Sequence, residues 1–361
     1  MDNTSPHISV IILNWNGWQD TIECLETVLK NNYQNYHILL IDNFSEDDSI
    51  TRIRQWASGD WDMDIKTSFP DLVYPLVKKP VKLLELNLEV NNKPEEQMAG
   101  QSWKNIPLQS IILIKNFENS GFAIGNNLGI KIAEYLFENQ FIFLLNNDTV
   151  IDKESIVEIL NDLTSRTYLG LSTAAIYFYD DPDKVSNLGG NISIFGKRKY
   201  NTSVSRSGKS DVTFVTGCAL MVKGEIFRTY GLLSEKFFFG EEDFEYSLRM
   251  KKNKVKMSCS PNSIVYHKVN VSSEKLYKEN LKKMVIYYFN RIINMKSYFP
   301  YLLWVAWKYF LIFYSFFWFK LKAGVNFQKA LKLSRYLYLC LKKYQVADKQ
   351  TSLKIYQDLS I

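Results

Sequence analysis

Ile8-Ser9-Val10-Ile11-Ile12-Leu13-Asn14-Trp15-Asn16-Gly17 decides how this chain is read: a short, mostly apolar run stops abruptly at two asparagines. A continuous run of this length, rich in Ile and Leu, fits a strand covered on both faces, as in a parallel sheet. The pattern recurs where Ile38 to Ile41 meets Asp42 and Asn43, and where Phe141 to Leu145 meets Asn146, Asn147 and Asp148; Ile111 to Ile114 adds another strand. Segments of helical period, Trp18 to Leu29 and Phe122 to Phe137, lie between them. This alternation predicts an α/β doubly wound body with a mostly parallel sheet. Ligands of such sheets bind at the carboxyl ends of the strands. One Asn/Asp cluster is an ordinary turn or helix cap, but three at corresponding strand ends outline a site.

Outward from these strands, the chain of 361 residues is 46% hydrophobic and 23% charged, with 16 Gly and 9 Pro, which excludes disordered and collagen-like classes. Four cysteines, Cys24, Cys218, Cys259 and Cys340, show no CxxC pairing, so neither zinc nor a disulfide framework is expected and the compartment reads as reducing. Met1 to His7 is short and polar, without the pattern of a signal peptide. The net charge of +6 is unevenly spread: from Lys268 onward 17 Lys and Arg face 4 Asp and Glu, leaving 27 against 34 in residues 1–267. An acidic body with a basic tail suits an anionic surface.

Residues 57–109 break the strand and helix rhythm with five prolines, and read as an inserted subdomain or flap. The glycines of Asn119-Ser120-Gly121-Phe122-Ala123-Ile124-Gly125-Asn126-Asn127-Leu128-Gly129 are four apart, as tight helix packing or close ligand approach requires. They match neither a dinucleotide fingerprint nor a P-loop. Asp148, at a strand end, suits a hard divalent cation whose remaining ligands are water and substrate phosphate. Gly240-Glu241-Glu242-Asp243-Phe244-Glu245 places four acids after an aromatic run, either as an acidic first helical turn or as a carboxylate cluster able to act as a general base. His267 is one of three histidines, too few for a Ser-His-Asp triad to be built with confidence.

Together Ser9 to Gly17, Asp42-Asn43-Phe44-Ser45-Glu46-Asp47, Asn119 to Asn127, Asn146-Asn147-Asp148-Thr149, Gly217-Cys218-Ala219-Leu220-Met221 and Glu242 to Arg249 resemble the family 2 glycosyltransferases, particularly their rhamnosyltransferase-like branch. The resemblance covers residues 8–273 in the family's order, interrupted by 57–109. It implies a GT-A fold over residues 1–273 and an inverting transfer from a dTDP- or UDP-sugar. By the same resemblance Asn14, Asn16, Asn119 and Gly121 border the nucleotide pocket and Asp42 binds the base. Asn146, Asn147 and Asp148 stand at the DxD-type motif, with Asp148 the Mg2+ or Mn2+ ligand. Asp243 matches the catalytic base, Glu242 its neighbour near the acceptor, and His267 a second metal or diphosphate contact. Asn146 replaces the first acid of a strict DxD, and Gly240-Glu241 stands where an aromatic residue is more usual. No QxxRW motif of processive synthases occurs, so a single-sugar transfer is expected.

From Tyr298 to Phe319 the chain is almost wholly apolar and aromatic, with Lys308 its only charge. Its length as a helix approaches the hydrocarbon thickness of a bilayer, but a central lysine and dispersed aromatics fit a helix lying in the interface better. Residues 274–361 are therefore expected to form a basic, aromatic, helical, membrane-associating region, with Trp304, Trp307, Trp318, Lys320 and Lys322 at the lipid. Its apolar blocks are too continuous for a nucleic-acid groove. The expected activity extends a lipid-linked or cell-surface glycan at the cytoplasmic face of the membrane. The alternatives are a nucleotidyltransferase on a similar nucleotide-binding fold, whose basic glycine-rich loop is absent, and a non-catalytic membrane-bound scaffold.

Overall fold

A computed structural model describes residues 5–60, 64–87, 105–137, 140–203, 211–269 and 279–359. The chain divides into two compact units, one of residues 1–233 with 246–269 and one of residues 234–245 with 270–361. The expected boundary at 273/274 and residues 61–63 and 88–104 of the expected insertion lie outside the described residues.

In chain order the first unit carries β1 (Ile8–Asn14), α1 (Trp18–Leu29), β2 (Tyr36–Asp42), α2 (Ser49–Ser58), α3 (Pro70–Val73), β3 (Leu83–Asn87), β4 (Ile111–Lys115), α4 (Phe122–Phe137), β5 (Phe141–Asn146), β6 (Thr149–Ile151) and α5 (Ser155–Ser165). There follow β7 (Leu169–Phe178), β8 (Val185–Asn187), β9 (Gly190–Ile192), β10 (Arg198–Tyr200), β11 (Asp211–Val212), β12 (Ala219–Lys223), α6 (Gly224–Tyr230), α7 (Glu242–Lys252) and β13 (Lys256–His267). The unit division falls within α7, between Glu245 and Tyr246.

The main sheet runs β11-β13-β7-β12-β5-β1-β2-β4-β3. Strands β5, β1, β2, β4 and β3 are mutually parallel, and β12 enters antiparallel between β5 and β7. Alternation along the strands shows why they read as continuous apolar runs. Val10, Ile12, Ile38 and Leu40 enter one core with Ile22, Leu25 and Val28 of α1, whereas Ile11, Leu39 and Ile41 enter a second core with Ile130 and Ala133 of α4. Both faces are covered, so neither can be polar. The glycines of α4 allow this close packing: a Cβ on Gly125 would lie 2.5 Å from Leu13 Cδ1, and one on Gly129 2.7 Å from Ile11 Cγ2. These two positions are helix-packing glycines.

The described part of 57–109 joins the body. β3 forms the sheet edge beside β4, and a buried carboxylate ties the preceding loop to α1. Glu26, 0% exposed, accepts from Trp56 Nε1 at 2.8 Å, Val77 N at 2.8 Å and Lys79 Nζ at 3.1 Å. Removing one partner of a buried charged cluster strands the others without solvent. Glu26→Ala is therefore expected to lower unfolding free energy by about 3 kcal/mol, seen as a fall in the urea midpoint; a midpoint unchanged from wild type would show the cluster to be energetically idle.

The second unit contains α8 (Asn280–Met295), α9 (Tyr301–Phe317), a π-helical turn (Trp318–Lys322), α10 (Phe327–Lys343) and α11 (Lys349–Asp358). Pro300 precedes α9, and Asn326 and Asp348 cap α10 and α11 through Lys329 N and Thr351 N. Val285, Phe289 and Ile292 of α8 and Leu333 and Leu337 of α10 are buried. Residues Tyr301–Lys322 are the one helix among the described residues long and apolar enough to cross a membrane. Trp304 is turned inward, its indole N–H donating to Ile292 O at 2.9 Å, so the outward apolar face of α9 is made by other residues. Leu302, Phe310, Phe313 and Phe317 form that face, each at least 40% exposed, and Leu321 of the π-helical turn continues it.

Candidate functional site

Sheet register brings the strand-end polar residues of the first unit together. Asn14 pairs in register with Asp42, and Leu13 with Asn146, so the carboxyl ends of β5, β1 and β2 lie side by side. Their side chains form one hydrogen-bonded chain. Asn147 Nδ2 donates to Thr21 Oγ1 at 2.9 Å, Thr21 Oγ1 to Asn14 Oδ1 at 2.8 Å, and Asn14 Nδ2 to Asp42 Oδ1 at 2.8 Å. Ser45 closes the far end: its hydroxyl donates to Asp42 Oδ1 at 2.6 Å and its amide to Asp42 Oδ2 at 3.0 Å. Asn16, in left-handed backbone at φ 49, donates its amide to Ser45 Oγ at 2.9 Å and accepts Glu46 N at 2.8 Å, which folds the β2–α2 loop back over β1.

A second set sits at the ends of β2 and β4. Asn43 Oδ1 accepts from Asn116 Nδ2 and Ser120 Oγ, each at 3.1 Å, while Asn43 Nδ2 donates to Asn119 Oδ1 at 3.1 Å and Gly121 O at 3.3 Å. Gly121 takes φ 87 here, a conformation that favours glycine, immediately before α4. Six of the seven residues expected at the nucleotide pocket thus belong to two adjoining networks, and the Asn146 amide instead faces His267 Nε2 at 3.5 Å. Asn14 and Asp42 are almost wholly buried, and Asn16, Asn119, Asn146 and Asn147 keep part of their surface exposed. Thr21 and Asn116 complete the networks without having stood out in the sequence. Thr21 follows the Asn14/Asn16 motif within the first turn of a helix, where a threonine is unremarkable.

Asp148 and His267 meet because β6 pairs antiparallel with β13, with Thr149 opposite His267. His267 Nε2 lies 3.1 Å from Asp148 Oδ1. Burial disfavours protonation of this imidazole, but Cys218 and Asp148 outweigh it and hold its pKa well above the ordinary histidine value. Burial likewise opposes ionisation of Asp148, yet His267 overcomes it and keeps the carboxyl below its usual range. Lys268 fixes the end of β13, its ammonium 2.6 Å from both Asp20 Oδ1 and Glu23 Oε2 of α1.

The donor set suits a divalent cation of a particular kind. Asp148 Oδ1 is buried and its partner is His267 Nε2 at 3.1 Å, so a cation bound at this oxygen would take the place of the imidazole proton between them. Among the described residues no group of three or more His, Cys, Asp or Glu side chains could form a dedicated metal cage. One carboxylate, and an imidazole that would give up its proton on binding, therefore fit a hard cation that takes the rest of its oxygens from water and a bound diphosphate.

In the second unit, Glu242 and Asp243 open α7. Glu242 is 5% exposed, and its Oε2 accepts Gly240 N at 2.7 Å while Oε1 is buried without a hydrogen-bond partner. Burial first, then the charges of Asp243 and Glu241, push its pKa up to about 8. At neutral pH Glu242 is thus mainly protonated, next to a second acid in sequence.

Comparisons with known proteins agree with this architecture. The pattern described as Glycosyl transferase family 2 matches residues 9–68, and that described as Glycosyl transferase family group 2 matches residues 141–342, more than half of the chain. The low-salt glycan biosynthesis hexosyltransferase Agl10 of Haloferax volcanii is 24% identical over 145 residues, 38% of this chain and 45% of its own. Among solved structures, GalNAc-T7, crystallised with UDP, GalNAc and Mn2+, superposes with a TM-score of 0.50 at 15% identity, covering 83% of this chain and 52% of that one. Residues 1–349 of TarS from S. aureus superpose with a TM-score of 0.51 at 10% identity, covering 97% and 80%. The chain spans about half the length of Agl10 and GalNAc-T7, at 45% and 52%. The likeness to the two solved structures is one of fold, and the fold is of the GT-A type. With a family match across both β5 and the acidic segment, the chain belongs to the family 2 glycosyltransferases.

Proposed function

We propose that this protein transfers a single sugar, with rhamnose favoured, from a dTDP- or UDP-sugar to a hydroxyl of a lipid-linked or cell-surface glycan, with inversion and with Mg2+ or Mn2+ bound. The observation that carries the reading is the continuous network from Asn147 through Thr21 and Asn14 to Asp42, ending beside the Asp148–His267 pair. It supports a donor pocket in which Asn14 and Asp42 shape the wall. Asn16, Asn119, Gly121, Asn146 and Asn147 present polar groups to nucleotide, sugar and diphosphate. Asp148 and His267 would hold the cation, which when bound neutralises charge growing on the departing diphosphate.

Asp243 acts as the base. It takes the acceptor's hydroxyl proton as that oxygen bonds to the anomeric carbon, and the sugar–phosphate bond breaks with its electron pair leaving on the nucleoside diphosphate. Protonation of Glu242 supports this division of labour, because adjacent acids in different protonation states can serve different roles.

The exposed stripe of α9, together with the exposed Lys320 and Lys322 that follow it, supports attachment to an anionic membrane at its cytoplasmic face. Trp307 and Trp318 are half-buried and flank this stripe, whereas Trp304 works inside the unit. A helix covered on one side by its own protein suits the interface better than a span.

The deciding experiment is thermal unfolding with UDP or dTDP, with and without Mn2+. At a hundredfold excess over Kd a ligand stabilises by about 2.7 kcal/mol, and Asp148→Ala should abolish the Mn2+-dependent increment. An undiminished increment in Asp148→Ala removes that residue from the cation site. No shift with either nucleotide in folded protein favours the scaffold reading.

A further inference from the structure

We infer that Arg291 of α8, acting through Glu241, is the positioning residue that sets the acidic segment Gly240-Glu241-Glu242-Asp243 in its working geometry, so that the C-terminal helices take part in the reaction. The inference rests on the reading of Asp243 as the base.

The contacts converge on the segment from one guanidinium. Arg291 Nε lies 2.9 Å from both carboxylate oxygens of Glu241, and its Nη2 lies 2.8 Å from Glu241 Oε1. Asn294, one turn further along α8, donates to Glu241 Oε2 at 3.0 Å. The plane of Arg291 also covers the Phe244 ring, 3.5 Å from its centroid. The residues two before and one after Asp243 are thus both held by the same side chain. Asn290 adds a bond to Phe239 O at 3.1 Å, and Tyr298 one to Glu245 Oε1 at 2.7 Å.

Gly240 turns at φ 103, a left-handed conformation, with open space where a Cβ would stand, and its amide donates to Glu242 Oε2 at 2.7 Å, so the turn and the Arg291 contacts bracket Glu241 from both sides. Glu241 is 0% exposed and Arg291 4%. A buried ion pair is often no more stabilising than well-packed apolar residues of similar volume. Its distinguishing property is direction: a planar fork with defined angles, which neither lysine nor an aliphatic side chain reproduces.

The test uses the full chain and four variants: Arg291→Lys, Arg291→Met, Glu241→Met with Arg291→Met, and Asp243→Asn. UDP binding in the presence of Mn2+ is measured by calorimetry, turnover by nucleoside diphosphate release from UDP-glucose and dTDP-rhamnose with glycolipid acceptor. Amide exchange is followed over residues 237–245. Arg291→Lys is expected to cut kcat by about tenfold and the double variant by about a hundredfold, the scale of an ångström misplacement. UDP affinity should stay within about twofold, while exchange at 237–245 rises and exchange in β1 and β5 does not. Because the double variant leaves no lone buried charge, it separates positioning from stability; a folded double variant with wild-type kcat overturns the proposal. Should the double variant and Arg291→Met fail to fold, Arg291→Lys with unchanged kcat and unchanged exchange overturns it equally. If Asp243→Asn itself retains turnover, the base assignment falls. If only Asp243→Asn loses turnover, the base stands and the positioning role falls.

Discussion

Asp243→Asn is expected to lower turnover by at least about a thousandfold, within the range that a positioned general base contributes, while leaving UDP binding with Mn2+ close to wild type. The substitution removes a proton acceptor and adds almost no volume. The polar residues assigned to the donor lie in another part of the chain, from Asn14 to Asp148 with His267, so their hydrogen bonds are untouched. Glu242 cannot readily take over. Burial and its acidic neighbours hold it largely protonated near neutrality, and the loss of the Asp243 charge relieves only the smaller of these influences. The measurement is initial-rate transfer alongside calorimetric UDP titration. Turnover within tenfold of wild type would exclude Asp243 as the base, whereas equal losses of turnover and UDP affinity would make it part of the donor pocket.

Deleting residues 298–361 is expected to remove membrane attachment and activity together. The deletion takes away the exposed stripe of α9 and Lys320 and Lys322, and each lysine near an anionic surface is worth about 1 kcal/mol. It also removes Tyr298 from Glu245, the Trp304 indole from Ile292 O, and the Ala347 carbonyl that accepts Phe238 N at 3.0 Å. Leu333 and Leu337, which help build the buried interior of this unit, go as well. Vesicle sedimentation with anionic lipid and a transfer assay on the same preparation read the two losses. Lys320→Glu with Lys322→Glu separates them, since both side chains are exposed: binding to vesicles should fall at least about tenfold with turnover on a soluble acceptor unchanged. If the truncated chain still sediments with vesicles, the attachment lies elsewhere.

Much of the fold was legible because the decisive signals are local. Ile8 to Ile12, Ile38 to Ile41 and Phe141 to Leu145 are buried, and a strand covered on both faces is apolar at nearly every residue, with Ser9 the exception here. The helices Trp18–Leu29 and Phe122–Phe137 carry the expected period over their full lengths. The strand-end asparagines were legible as a group since parallel register puts equivalent ends together. The antiparallel insertion of β12 and the bulged β13 were not, because neither is announced by a local pattern: each gains its place from partners distant in sequence. Arg291 escaped notice for the same reason. An arginine in a basic tail looks like surface charge until the fold buries it 50 residues away from Glu241.

The place of β12 between β5 and β7 has a consequence for how the chain is made. Strands β1 to β5 are complete once residue 146 has been synthesised, but the partner of β5 on its other side begins only at Ala219. Until then Phe141 to Asn146 presents an open row of amides and carbonyls, the kind of edge that templates pairing between chains. At about 5 to 20 residues per second, translation leaves that edge uncovered for several seconds. The interval is a window for chaperone capture, and slow codons between β5 and β12 would widen it.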